Sequence, residues 1–305
     1  MTCCPKSAPP AAPSADVSVI KADPSAATEV VRFPGGPSFI GTDRPALKAD
    51  GEAPRRPVRL KPFGIERHAV TNERFARFVD ATGFVTEAEQ FGWSFVFQTF
   101  LDERLSAPAP IDTPWWRRID DACWRSPEGP GSTIQGREDH PAIHVSWNDA
   151  QAFAKWCGGR LPTEAEWEHA ARGGAGDRRF PWGDEEPDDR RTLCNIWQGR
   201  FPDLNTGADG YAGTAPVDAF APNPVGLFNM VGNVWEWCQD PFRTRSLTRA
   251  GRERDRQAAA ETERVMKGGS YLCHVSYCYR YRIAARLGRH PNTSTGHVGF
   301  RVAYD

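Results

Sequence analysis

The chain has 305 residues, a formal net charge of −1 and 39% apolar residues, with no run approaching the roughly eighteen apolar residues of a membrane span. That balance gives no electrostatic case for nucleic acid or an acidic membrane surface. The 28 Gly, 26 Pro and 11 Trp predict a loop-rich fold held by aromatic packing, and eight cysteines are too few for a disulfide scaffold at this length.

Residues 1–28, rich in Ala, Pro and Ser, read as a disordered tail. The tail has no apolar stretch of the kind a secretory signal needs, so the expected location is a reducing cytoplasm. A single domain is expected over 29–305. It opens with a short strand at Glu29-Val30-Val31-Arg32-Phe33, and strand-like stretches follow from Arg59 to Glu66. Thr71-Asn72 starts a helix with Phe75, Phe78 and Val79 on one face, stopped near Gly83. Ser146 and Asp149 make a capping-box start to a helix through Trp156. In Pro162-Thr163-Glu164-Ala165-Glu166-Trp167-Glu168, Thr163 caps a further helix, Glu166 completes the box, and the carboxylates suit the helix dipole. Beyond Pro181 the pattern turns irregular. Arg243 to Arg264 reads as a charged, exposed loop or short helix, and Val298-Gly299-Phe300-Arg301-Val302 as a closing strand.

The most informative stretch is Gly268 to Arg282, which sets Cys273 and Cys278 among Tyr, His and Arg. The thiolate is both the nucleophile and the soft-metal ligand, and nearby Arg280 and Arg282 favour it. Spacing alone leaves three readings open: a disulfide, a redox dithiol or a Cu(I) site. A structural zinc site is disfavoured, because a second ligand pair is missing.

Several runs resemble the formylglycine-generating enzymes, the sulfatase-modifying factors. They are Arg160 to Glu168, Asn195-Ile196-Trp197-Gln198-Gly199, Gly232-Asn233-Val234-Trp235-Glu236-Trp237, the Cys273/Cys278 segment and Gly299-Phe300-Arg301. The resemblance extends from about Val31 to Asp305. It implies an α+β fold in one loop-rich domain with little regular structure, distantly related to C-type lectins. It also implies an aerobic, copper-dependent enzyme of bacterial type. Such an enzyme oxidises a cysteine in a Cys-x-Pro-x-Arg motif of an unfolded sulfatase to Cα-formylglycine, with O2 and an external reductant, through a thioaldehyde that water hydrolyses.

On that resemblance Cys273 and Cys278 hold Cu(I) as two thiolates, and Ser270 places a hydroxyl beside them. Trp115, Trp116, Tyr277, Arg282, Arg286 and His297 match positions near the peptide groove; for Arg286 a loop-tying role is the stronger expectation. Two structural Ca2+ sites are implied, using mixed oxygen ligands of the kind calcium takes. One has the side chains of Asn195 and Asp209 with the carbonyls of Ile196 and Tyr211. The other has Asn229 and Glu236 with the carbonyls of Gly232 and Val234. A monomer is the expected state.

This chain departs from secreted relatives in two respects. Their disulfide positions correspond to Ala154 with Val302 and Ala171 with Ile283, so both bridges are absent, in keeping with a reducing compartment. His297 stands where many relatives carry Asn, and it is titratable near neutral pH. Rival readings are a calcium-stabilised lectin-like binding module, an ergothioneine-type sulfoxide synthase and a dithiol oxidoreductase. The synthase lacks support because there is no H-x-x-x-H-x-E run and no room for an N-terminal helical domain.

Overall fold

The computed structural model describes residues 4–5, 22–102 and 107–305. In chain order the elements are β1 (Val30–Phe33), β2 (Gly36–Ile40), β3 (Arg56–Leu60), β4 (Phe63–Glu66), α1 (Asn72–Thr82), α2 (Glu87–Phe91), β5 (Trp93–Phe97) and β6 (Trp116–Asp120). There follow α3 (Trp147–Trp156), α4 (Glu164–Arg172), β7 (Gly199–Arg200), β8 (Leu204–Asn205), β9 (Trp235–Pro241) and α5 (Arg249–Ala260). The chain closes with β10 (Arg264–Lys267), β11 (Leu287–Arg289), β12 (Val298–Gly299) and β13 (Ala303–Tyr304). No helix among the described residues is long and apolar enough to cross a membrane.

The helices begin where capping chemistry predicts. Thr86, Ser146 and Thr163 each receive the N3 amide, while Glu89, Asp149 and Glu166 return a bond to the cap amide. Each such cap stabilises its helix by ~1 kcal/mol. The apolar face of α1 meets α3 through rings: Phe75 stacks on Phe153 at 5.9 Å, and Phe78 lies 5.5 Å from Trp156. The charged stretch after Arg243 forms α5, which buries only Ala258.

The carboxylates of α4 do more than complement a dipole. Glu168 lies between Lys267 at 2.7 Å and Arg172 at 2.6 Å, and all three side chains are buried. This polar seam ties α4 to β10, the strand that delivers the cysteine loop.

Among the described residues β2-β3, β5-β6 and β7-β8 pair as two-stranded ribbons, and two larger sheets hold the other strands. One runs β1-β4-β13 and the other β11-β10-β9-β12, with β12 parallel to β9. Of the expected closing strand Val298 to Val302, only Val298–Gly299 is strand; Phe300 to Val302 leave the sheet, and β13 begins beyond them in the other sheet. Arg301 lies between β12 and β13, buried, with Nη2 2.7 Å from Glu236.

Order also begins ahead of Glu29. Pro24–Ala26 form a 3-10 turn capped by Asp23, whose amide donates to Trp156 O at 2.6 Å. Cys4 and Pro5 are buried against the fold. The rest of the expected tail, 1–3 and 6–21, lies outside the described residues.

Candidate active site

β10 ends at Lys267, and the next two residues carry the chain into the site. Gly268 and Gly269 have φ of 92° and 71°. A Cβ on Gly269 would meet the Tyr281 backbone at 2.9 Å, so the incoming and outgoing strands of the loop touch there and only glycine fits.

Inside that neck the chain makes two tight turns. The Ser270 carbonyl accepts from the Cys273 amide at 2.8 Å, and the His274 carbonyl accepts from the Cys278 amide at 2.8 Å. The two sulfurs thereby come to 3.0 Å, both fully buried and not bonded to each other. The Ser270 hydroxyl accepts from the Leu272 amide at 3.3 Å, and the Ser270 amide lies 3.4 Å from Cys273 Sγ. Trp197 pins the loop by donating its amide to the Cys273 carbonyl at 3.0 Å.

The arginines around this loop divide by partner. Arg280 holds Asp50 through Nε at 2.7 Å and brings Nη1 to 3.9 Å from Cys278 Sγ. Arg282, counted with it as favouring the thiolate, instead forms a two-point pair with Glu52 at 2.5 and 3.0 Å. Burial alone would raise the Glu52 pKa, but the hydrogen bonds and charge of Arg282 outweigh it and hold the carboxyl below its usual range. Arg286 pairs with Glu164 at 2.7 Å and donates to the Arg243 carbonyl at 2.6 Å. The geometry of Arg282 and Arg286 is that of loop anchors.

Aromatic side chains wall the outer face. Tyr277 stacks on Phe201 at 4.2 Å, and Trp115 stands edge-on to both at 4.8 and 5.2 Å. All three are half-buried, so their outer surfaces remain available. Trp116 is fully buried behind them, edge-on to His297 at 4.7 Å. Phe201 has no signal in its local sequence. It joins the wall because β7 and the following turn carry it over Tyr277.

The oxygen clusters differ in their fit to calcium. Asn195 Oδ1 and Asp209 Oδ2 are buried without a hydrogen-bond partner, which suits a cation at the first site. Burial pushes the Asp209 carboxyl up to about 6. At the second, Asn229 Oδ1 is likewise without a partner. The Glu236 carboxylate, however, already accepts from Arg301 on both oxygens and from Trp167 Nε1 at 2.7 Å, so the fit there is partial.

The family described as "Sulfatase-modifying factor enzyme 1-like domain" matches residues 16–305. A relative named "Formylglycine-generating enzyme" from Thermomonospora curvata is 52% identical over 301 residues, covering 96% of this chain and 99% of that protein. One of the same name from Streptomyces coelicolor is 52% identical over 279 residues, covering 90% and 88%. The structure of PvdO from Pseudomonas aeruginosa superposes with a TM-score of 0.59 at 24% identity, covering 91% of this chain and 94% of that one. That likeness speaks for the fold alone. With the loop, its paired sulfurs and these matches in hand, the chain belongs to the formylglycine-generating, sulfatase-modifying family of enzymes.

Proposed function

We propose that this chain oxidises a cysteine of a sulfatase polypeptide to Cα-formylglycine, within a Cys-x-Pro-x-Arg motif presented as an extended segment. The single observation that carries the reading is the pair of buried, unbridged sulfurs 3.0 Å apart beside the aromatic wall. A fold kept only for binding would have no need of such a pair.

Cys273 and Cys278 are a soft donor set suited to Cu(I), which when bound would supply O2 activation for removing hydrogen from the target Cβ. The chain's own residues do the positioning. The glycine neck and the turns at Ser270 and His274 fix the spacing of the sulfurs. Arg280 sets a guanidinium beside Cys278, favouring its thiolate. Arg282 and Arg286 anchor the loop to Glu52 and Glu164. Tyr277, Trp115 and Phe201 offer flat apolar surface to an extended peptide and exclude water from the thiols.

The balance of the reaction is one target thiol, one O2 and two reducing equivalents giving one aldehyde, one hydrogen sulfide and one water. The two equivalents come from an external thiol, which leaves as a disulfide. A reducing compartment suits this demand and the unbridged cysteines. Asn195 and Asp209 would hold a structural Ca2+ that fixes the loops on either side of β7 and β8.

Mass spectrometry of a Cys-Thr-Pro-Ser-Arg peptide, incubated with Cu(I)-loaded protein, thiol and O2, tests the reading. The expected result is a loss of about 18 Da, the difference between a thiomethyl side chain and an aldehyde, dependent on copper and O2 and trapped by an aldehyde reagent. An unchanged peptide with copper bound would point to another substrate, and absence of copper binding to a lectin-like module.

A further inference from the structure

A cavity of about 320 Å3 lies at the N-terminal turn of α5, between that helix, the Lys48–Asp50 segment and β11. Its lining is unbalanced in charge. Four cations line it, Lys48, Arg254, Arg280 and Arg289, against one carboxylate, Asp50. Asp50 pairs with Arg280 at 2.7 Å, and Arg254 pairs with Glu263. Lys48 and Arg289 have no carboxylate partner among the described residues.

Arg289 carries the argument furthest. Only 3% of its surface is exposed, so its charge is held out of water. Nη1 donates to the Gly288 carbonyl at 2.7 Å and Nη2 to the Cys4 carbonyl at 2.9 Å, and both acceptors are neutral. Nε is buried without a partner. So is Nη1 of Arg254, whose guanidinium sits over the Phe242 ring at 4.7 Å. A buried charge is unfavourable unless a counter-charge attends it, and buried donors are normally satisfied. The helix end has the same sign. The first turn of α5 contains no acidic residue, and its amides carry a partial positive charge.

We propose that this cavity binds a small dianion through phosphate or carboxylate groups. Two cations without a carboxylate match two negative charges, and Arg289 Nε and Arg254 Nη1 supply donors that the fold leaves unused. The buried side chains of Phe242 and Leu287 add an apolar wall suited to a carbon skeleton, and the volume is at the lower end of the range for small-molecule sites. Tyr277, Trp115 and Phe201 do not line this cavity, so it is distinct from the peptide-facing wall and stands apart from the formylglycine reading.

Isothermal titration of the full chain with inorganic phosphate and with succinate, in calcium-free buffer at fixed ionic strength, tests the site. The expected result is saturable binding of one anion per chain, with a melting temperature that rises as the site fills. Binding of phosphate alone identifies a phosphate-bearing ligand, and of succinate alone a dicarboxylate; either supports the site. Lys48→Glu and Arg289→Gln should each weaken binding about tenfold. A merely structural Arg289 would make Arg289→Gln melt lower by the same amount with and without the anion. As an anion ligand, it makes the gap between native chain and variant widen as the anion is added. If Arg289→Gln does not fold, Lys48→Glu, at an exposed position, decides alone. No saturable binding of either anion up to about 10 mM, or binding unchanged in Lys48→Glu, overturns the proposal.

Discussion

Arg282 and Glu52 meet in a two-point ion pair although 230 residues separate them, with Nη2 2.5 Å from Oε1 and both side chains buried. This contact clamps the far end of the cysteine loop to the segment between β2 and β3. Breaking one partner of a buried pair leaves an uncompensated charge and costs about 3–5 kcal/mol. Glu52→Gln should therefore lower the melting temperature sharply and cut turnover with it.

The same pair gives a pH dependence. The folded-state pKa of Glu52 lies below its usual value of 4.5. Its contribution to stability is therefore complete above that value and is lost as pH falls through the lower folded one. Thermal melts of the native chain should weaken on the acid side of pH 4.5. In Glu52→Gln that acid-side slope should be shallower; equal slopes would remove Glu52 as a source of it.

Cys273→Ser and Cys278→Ser should each abolish tight Cu(I) binding and turnover. Placing a hydroxyl where a thiol is fully buried costs about 1–3 kcal/mol, so the fold should survive. Copper titration and circular dichroism on the same samples check both halves. Normal turnover in either variant would rule out a two-thiolate centre.

Phe201 stacks on Tyr277, and aromatic pairs contribute about 0.5–1.5 kcal/mol beyond their buried area. Phe201→Ala should raise KM for the target peptide by roughly two- to twelvefold, by that energy, while kcat changes little. Steady-state kinetics at saturating O2 separates the two parameters. A fall in kcat alone would place the wall in the chemical step instead of in binding.

Burial raises the Asp209 carboxyl to about 6. A carboxyl with a raised folded pKa adds stability that is complete below its usual 3.8 and lost as pH rises through the folded value. Above pH of about 6 a bound cation should restore what ionisation costs, so the Ca2+-dependent rise in melting temperature should grow with pH across that value. Asp209→Asn should flatten the response. A calcium shift that persists unchanged in that variant would place the ion elsewhere.

The sequence by itself determined whatever depends on neighbours along the chain. The caps at Ser146 and Thr163 are i, i+3 contacts, so residue type and spacing settle them, and the structure carries both boxes as read. Cys273 and Cys278 stand five positions apart, which left a disulfide, a dithiol and a metal site open; the turn from His274 to Cys278 lies between them, and the sulfurs come to 3.0 Å without a bond. Family membership was legible because its motifs are short contiguous runs. Only the tertiary structure decided which distant group each charged or aromatic side chain meets. Arg280 and Arg282 differ by two positions, yet one faces a sulfur and the other Glu52, because the loop's path and the approach of Asp50 and Glu52 set their directions. Phe201 over Tyr277, Arg301 on Glu236, and Cys4 against His297 are contacts between remote segments. No local spacing encodes them, since each forms only when packing of the whole core brings two stretches of chain to one place.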